Sequence, residues 1–458
     1  ARSQAVTRNW QMGWVGGMIA THAMLVCGDA TAQERALRNF DFVFPHGQAP
    51  SGFFYGVGDG THWYSDHFTR MADVPYHLIR KSADGLFYML SSLLLLKERG
   101  QASRINPAWE HGLRTAADAF VTLWNRYGQF GQFVNHDTGE IVVAHSCSGG
   151  LAPAALVLAA RYFPGCAPAY LRVAQAAAAL FDEQYLRRGI TCGGPGDAAQ
   201  VPDSESCAAL LESFVHLHEA TADEYWLDCA RRCAVQFSSW VVSYDYTFPP
   251  DSTFGKLGML TAGTVLANAQ NKHSAPGICT HSGLALFRLY RLCGEPFFMD
   301  TLRDIAHALP QFLSRQDRPI EWKIPYFAPA DPHTRHLPPG WMCERVNLTR
   351  WGRHELIGEV FCGSCWCEVS LLLTCAELPG IYAQPDTGRI WSLDHVHAAW
   401  ADAARTALVL HNPTSFAAQV RVHCETAAAA RTAPLVRDYA ASLPMIALPP
   451  GAQHVYHL

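Results

Sequence analysis

Up to about residue 377 the chain alternates between two kinds of helical pattern. Six runs are apolar nearly all round: 10–27, 85–96, 149–163, 207–217, 278–292 and 360–374. A helix of that kind is buried on every side. Between them, 31–43, 107–127, 168–186, 223–242 and 295–313 carry one apolar stripe and one polar face. In 107–127, Trp109, Leu113, Ala116, Phe120 and Leu123 recur at helical spacing while Glu110, Arg114 and Asp118 face away. Six buried helices alternating with five amphipathic ones predict a mainly α protein, an (α/α)6 toroid of helical hairpins closed on itself. An open superhelix needs polar caps at both ends, and the apolar start at Trp10 speaks against it. The sixth outer helix should precede residue 1, so the chain, which starts with Ala, reads as an N-terminally truncated piece of a longer protein.

After Glu377 the pattern changes. Segments 389–397, 407–411, 419–424 and 453–458 alternate or cluster β-formers, with turn signals at HNPTSF (411–416) and LPPG (448–451). The expected organisation is a toroid over 1–380 and a small antiparallel, sandwich-like β-domain over 381–458. That β-domain is expected to cover one end of the toroid and to take no part in chemistry.

Composition narrows the function. The 458 residues exceed one ordinary core but suit a toroid with an appendage. A formal charge of -5 and a pI near 6.5 leave no basic footprint for nucleic acid and no polybasic patch for a membrane surface. The apolar stretch 10–27 contains His22 and three glycines and is too short for a membrane span. Fifteen cysteines lie scattered through apolar runs without the spacing of a disulfide framework. Most are expected to be buried free thiols of a protein in a reducing, cytoplasmic setting.

In a toroid the loops leading into the inner helices open onto one face and form a funnel. The second, FFYGVGDGTHWYSDHFTR (53–70), offers Trp63 and Tyr64 as a platform for the apolar face of a sugar ring, or as rings packed on the rim. The third, GQFGQFVNHDTGEI (128–141), is a hairpin with Asp-Thr-Gly at its turn, and His136 is a minor contact candidate. In the fourth, GGPGDAAQVPDSESCA (193–208), Asp203 or Ser204 caps a helix and Glu205 falls in its first turn. Either capping is all these residues do, or both carboxylates project into the funnel. The fifth crowds Asn271, Lys272 and His273 before a Pro-Gly break, a set suited to a polar, anionic ligand.

The sixth, 341–378, holds Glu344, Arg345, Glu355 and Glu359 with Trp341, Trp351 and Trp366. Glu359 is expected at the N-terminus of the last inner helix, the position that Glu205 holds on the fourth, which makes the two the preferred pair. Glycoside hydrolysis needs two carboxyl groups, one protonated and one ionised. No phosphate-cradling glycine loop competes with that reading. The run CGSCWC offers Cys362, Cys365 and Cys367, with Cys343 nearby, as zinc ligands or a nucleophile. Packing is preferred, since the chain uses Cys freely as a small hydrophobe.

The runs PDSES (202–206), QNKHSAPGICTHSG (270–283), CERVN (343–347) and GEVFCGSCWCEVSLLLT (358–374) resemble those of bacterial six-hairpin glycosidases acting on uronic-acid-containing glycans. The likeness spans about residues 80 to 400 and points to glycoside hydrolase family 154, a family of β-glucuronidases. It implies an exo-acting hydrolase that removes a terminal β-linked glucuronic acid from a carbohydrate partner and uses no cofactor. Asp203, Glu205, Glu344 and Glu359 would then be acid and base candidates, and Lys272, His273 and Arg345 would meet the uronate carboxylate. A looser likeness to unsaturated-glucuronyl hydrolases keeps vinyl-ether hydration open. The paired cysteines of the zinc-thiolate arabinofuranosidases are absent, and a non-catalytic carbohydrate-binding toroid is the remaining class.

Overall fold

The computed structural model describes residues 10–14, 16–66, 75–198, 200–322, 336–350 and 356–458. Among these residues, eleven helices build the ring in chain order: α1 (Ile19–Cys27), α2 (Ala30–Val43), α3 (Ile79–Glu98), α4 (Pro107–Tyr127), α5 (Ala152–Tyr162), α6 (Ala167–Gln184), α7 (Ser204–Thr221), α8 (Glu224–Ser238), α9 (Leu284–Cys293), α10 (Pro296–Ala308) and α11 (Trp366–Glu377). Odd-numbered helices lie inside and even-numbered ones outside. α1, α3, α5, α7 and α9 pack in succession, and α11 returns to α1. Ser370 and Thr374 of α11 donate to carbonyls of Ile278, His281 and Ser282, just ahead of α9. The ring is closed, as the alternation predicts.

Side-chain caps start the outer helices where the sequence signals them. Asp29, Asn106 and Asp223 accept from backbone N–H groups in the first turns of α2, α4 and α8. The inner helices depart more from expectation. α1 begins at Ile19, because Gly13 and Gly16 take φ values of 57° and 117° and break any helix from Trp10. α3 begins at Ile79, since Arg80, Lys81 and Asp84 are buried within it, and an apolar pattern does not register buried charge. α9 waits until after Gly283, and α11 until Trp366.

Short strands fill the loops at the N-terminal ends of the inner helices. β1 (Trp10–Gln11), β2 (Val57–Gly58) and β3 (Trp63–Tyr64) form one sheet, and β4 (Tyr76–Leu78), β5 (Phe133–Asn135) and β6 (Ile141–Val143) a second that contains the expected hairpin. β7 (Val265–Leu266), β8 (Ser274–Ala275), β9 (Arg345–Val346) and β10 (Val360–Phe361) form a third in that order. A bridge between Asp203 and Asn268 links this third sheet to the start of α7. An apolar cluster that includes Trp14, Phe254, Met342, Cys343, Val346 and Trp366 lies against it.

Beyond α11 come β11 (Ile381–Gln384), β12 (Arg389–Ser392), β13 (His397–Trp400), β14 (Ala407–His411), β15 (Ala418–Cys424), β16 (Met445–Leu448) and β17 (Gln453–His457). They make two sheets, ordered β12-β11-β15-β16 and β13-β14-β17, around Ile381, Val396, Leu408, Leu410, Val420 and Val422. One pair departs from the expected antiparallel plan: β11 and β15 run parallel. Tyr382 meets Phe287 and Tyr290 of α9 edge-on, and Arg291 grips Glu425 with two hydrogen bonds. Among the described residues no helix is long and apolar enough to cross a membrane. All fifteen cysteines are free and nine are buried, as expected of most of them, while Cys27, Cys365 and Cys375 are exposed.

Candidate active site

The N-terminal ends of the inner helices converge on Arg80, the second residue of α3, which is 2% exposed. Its guanidinium pairs with Glu205 on α7 and lies 3.4 Å from Asp84 one turn along α3. It also reaches Thr280 Oγ1 at 3.4 Å in the lead-in to α9 and stands 6.0 Å from the Trp14 ring. Burial works against its charge, but Glu205 and Asp84 outweigh it and hold the guanidinium protonated. Trp14 Nε1 donates to Glu205 Oε2 at 2.9 Å, the oxygen that Arg80 also uses, so Oε1 accepts from neither. Burial lifts the Asp84 carboxyl to about 6, against the pull of Arg80.

Asp203 is the N-cap of α7 and is fully buried. Its carboxylate accepts from Ser206 N at 2.5 Å, Gly194 N at 3.1 Å and Ser206 Oγ at 3.1 Å. A Cβ on Gly194 would stand 2.9 Å from Ser206 Oγ, so glycine permits this close approach. Desolvation, with the nearby Glu205 charge, raises Asp203 to about 7. These three bonds all serve the start of α7 and the loop ahead of it, and the capping alternative fits Asp203 best.

The same loop contains a residue absent from the sequence-based candidates. Asp197 is exposed, three residues after the glycine pair that frames the cap. Crowding by the funnel walls raises its carboxyl, the charges of Glu205 and Glu344 raise it further, and Arg345 opposes them. Gly196, beside it, lies against the Trp14 ring. Asp197 therefore sits among Glu205, Glu344 and Arg345.

The third sheet supplies the opposite wall. Arg345 faces Phe361 in register, with its guanidinium 4.1 Å from the ring centroid. Paired residues of neighbouring strands share a face, which puts Arg345 and Phe361 together, and next to them Asn347 Nδ2 donates to the Glu359 carbonyl at 2.8 Å. His273 comes close enough for the Arg345 charge to act on it. Burial first, and Arg345 second, pull His273 down to about 3, so it is neutral. Its Nε2 is buried with no hydrogen-bond partner among the described residues, as is the Oδ1 of Asn271. Lys272 is exposed, and its carbonyl accepts from Thr349.

Glu359 does not open the last inner helix. It precedes β10, seven residues before α11, and its Oε2 accepts from Thr253 Oγ1 at 2.8 Å. The helical parallel with Glu205 therefore fails. Glu344 explains why: its carboxylate accepts from Gly363 N at 2.8 Å and Ser364 N at 2.7 Å, holding 362–365 in a loop. Trp366 is buried in the apolar cluster that also holds Trp14. Trp341 is 48% exposed. Trp63 packs between Trp10 and Phe42, while the Tyr64 hydroxyl donates to Asp59. Trp351 and Glu355 lie outside the described residues.

Burial pushes the thiols of Cys343, Cys362, Cys365 and Cys367 up, Cys365 to about 11, which disfavours thiolate chemistry. Among the described residues no group of three His, Cys, Asp or Glu is placed to hold a metal ion. Arg80, Trp14 and Asp197 are the site residues that sequence reasoning missed. The one available signal was Arg80 and Asp84 at helical spacing just ahead of the apolar run 85–96.

No family model matches this chain, and no curated protein does. Solved structures do. A sugar epimerase from a ruminal bacterium shares 9% identity over 80% of this chain and 87% of its own, with a TM-score of 0.50. A D-mannose isomerase shares 11% identity over 81% and 86%, with a TM-score of 0.51. A cellobiose 2-epimerase from Spirochaeta thermophila shares 11% over 81% and 86%, with a TM-score of 0.50. Likeness at such identities speaks for the fold: this chain is an (α/α)6 toroid of the kind these proteins share.

Proposed function

We propose that the chain is a glycoside hydrolase that releases a terminal β-linked glucuronic acid from a glycan. The observation that carries the reading is the contrast between two neighbouring carboxyl groups. Glu205 is ion-paired with Arg80 and hydrogen-bonded by Trp14, whereas Asp197 is crowded and raised. A carboxylate held by an arginine and an indole suits the charged role, and a carboxyl whose proton is retained to higher pH suits the acid. Asp197 then gives its proton to the departing glycosidic oxygen, and Glu205 supplies the negative charge that faces the sugar's cationic transition state. Arg345 supports a uronate, since a guanidinium matches a carboxylate with two parallel donors. Lys272 at the rim adds a second positive charge. Glu344 holds the loop beside the Arg345 wall in place, and Glu359 accepts from Thr253 Oγ1.

A panel of aryl uronides and neutral aryl glycosides tests this. Aglycone release from a β-glucuronide is expected, with Glu205→Gln lowering kcat/KM by about 10² to 10⁴. Silence on every uronide, or wild-type rates in Glu205→Gln, would sink it. A second reading, a sugar epimerase or isomerase, draws on the neutral, buried His273 with its Nε2 unpaired among the described residues. Deuterium from solvent entering the sugar ring without aglycone release would favour it.

A further inference from the structure

A cleft of about 510 Å³ is lined by residues other than those around Arg80 and Glu205. That volume falls in the range of about 300 to 1,000 Å³ typical of small-molecule sites. Its walls include Asp41 and Phe42 at the end of α2, then His46, Tyr55, Thr61 and Trp63. The chain from 44 to 66 connects the C-terminal end of an outer helix to the N-terminal end of an inner one. The cleft therefore lies at the end of the toroid where the inner helices converge.

The lining combines ring surface with hydroxyl partners. Phe42 and Trp63 pack together at 4.9 Å, and Tyr55 sits edge-on against His136 at 4.8 Å. The Tyr55 hydroxyl and the exposed His46 ring make no hydrogen bond among the described residues, so both are available to a ligand. Charge decides the ligand class. Among the described lining residues there is no Lys or Arg, and the carboxylate of Asp41 already accepts from Trp109 Nε1 at 2.9 Å. The described lining offers a uronate no Lys or Arg; a neutral pyranose, with apolar ring faces and equatorial hydroxyls, finds both ring surface and hydroxyl partners.

Continuity with the site comes from the strand beside the cleft. Trp10 meets Trp63 edge-on at 5.8 Å, and four residues further on Trp14 bonds Glu205. Four residues of chain span at most about 14 Å. Trp10, which touches the cleft's Trp63, and Trp14, which bonds Glu205, therefore stand no more than about 14 Å apart.

We infer that the cleft lined by Phe42, His46, Tyr55 and Trp63 is an outer subsite for neutral pyranose units of the same glycan whose end occupies the funnel. This rests on the proposed glycosidase activity for its purpose, but not for its test. Binding of neutral hexasaccharides of cellulose, xylan and mannan is measured by calorimetry on the full chain, with oligogalacturonide as the acidic arm. At least one neutral hexasaccharide should bind at millimolar concentration or below. His46→Ala, on the exposed rim, and Tyr55→Phe, which keeps the ring, should each weaken it about three- to tenfold. Turnover of an aryl β-glucuronide should stay unchanged in both. Equal affinity in wild type and both variants, no binding by any neutral member, or stronger loss for the acidic arm would overturn the inference. Weakened binding in a protein inert on every uronide would leave the subsite standing and remove the glycosidase reading instead.

Discussion

Crowding and the Glu205 charge keep the Asp197 proton in place to a higher pH than a free aspartate would hold it. A general acid is competent below its own pKa and fails as pH rises through it, so Asp197 should set the alkaline limb of the pH–rate profile. Asp197→Asn is expected to lower kcat/KM on an aryl β-glucuronide by about 10² to 10⁴ and to flatten that limb. An alkaline limb that persists in the variant would remove Asp197 from the role. Glu205 could be singled out from sequence because a cap and a first-turn carboxylate announce themselves within three residues. Its partners could not, since Arg80 and Trp14 lie 125 and 191 positions away and meet it only when the ring is built. Asp197 was hidden for a different reason: an Asp in a Gly-rich loop looks the same whether it caps, turns or titrates.

Helix starts carry their own consequences. Buried Asp203 and Asp84 are lifted to about 7 and about 6, and Glu212 in the middle of α7 to about 7, chiefly by desolvation. For an acid raised in the folded state, the stability is fully present below its unfolded pKa and is lost as pH rises through the folded value. A tenfold difference in proton affinity between the folded and unfolded chains corresponds to ~1.4 kcal/mol. The melting temperature should therefore fall from about pH 4 to about pH 7. Asp203→Asn, which still caps a helix, should make that fall shallower; an unchanged slope by scanning calorimetry would refute the linkage. In α4, a Cβ on Gly112 would overlap the buried ring of Phe44. The helix-propensity gain of Gly112→Ala, about 1 kcal/mol, meets an overpacking cost of about 1 to 3 kcal/mol. Net loss of stability in urea is expected. Strands of two residues such as β7 to β10 are too short to show an alternation, which is why 360–374 reads as one helix. The break comes from Glu344 capturing the N–H groups of Gly363 and Ser364, an event that local pattern does not encode.

At the scale of the whole molecule, periodicity was the legible signal, because six buried and five amphipathic helices admit few arrangements. How the β-layer is held was not legible. Arg291 and Glu425 pair across the junction with 6% and 9% of their side chains exposed. Arg291→Ala strands a buried carboxylate and should cost about 3 to 5 kcal/mol in urea denaturation, with little change in turnover because the junction lies at the far end of α9 from Arg80. Ring closure, α11 against α1, also bears on how activity appears in time. Most neighbouring helices are close in sequence and form early, but the wall bearing Arg345 meets the one bearing Glu205 only through contacts of long sequence separation, which are slow to make. In a refolding experiment, far-ultraviolet ellipticity should recover first and turnover should lag behind it, so that catalysis reports the joining of the ring's two ends.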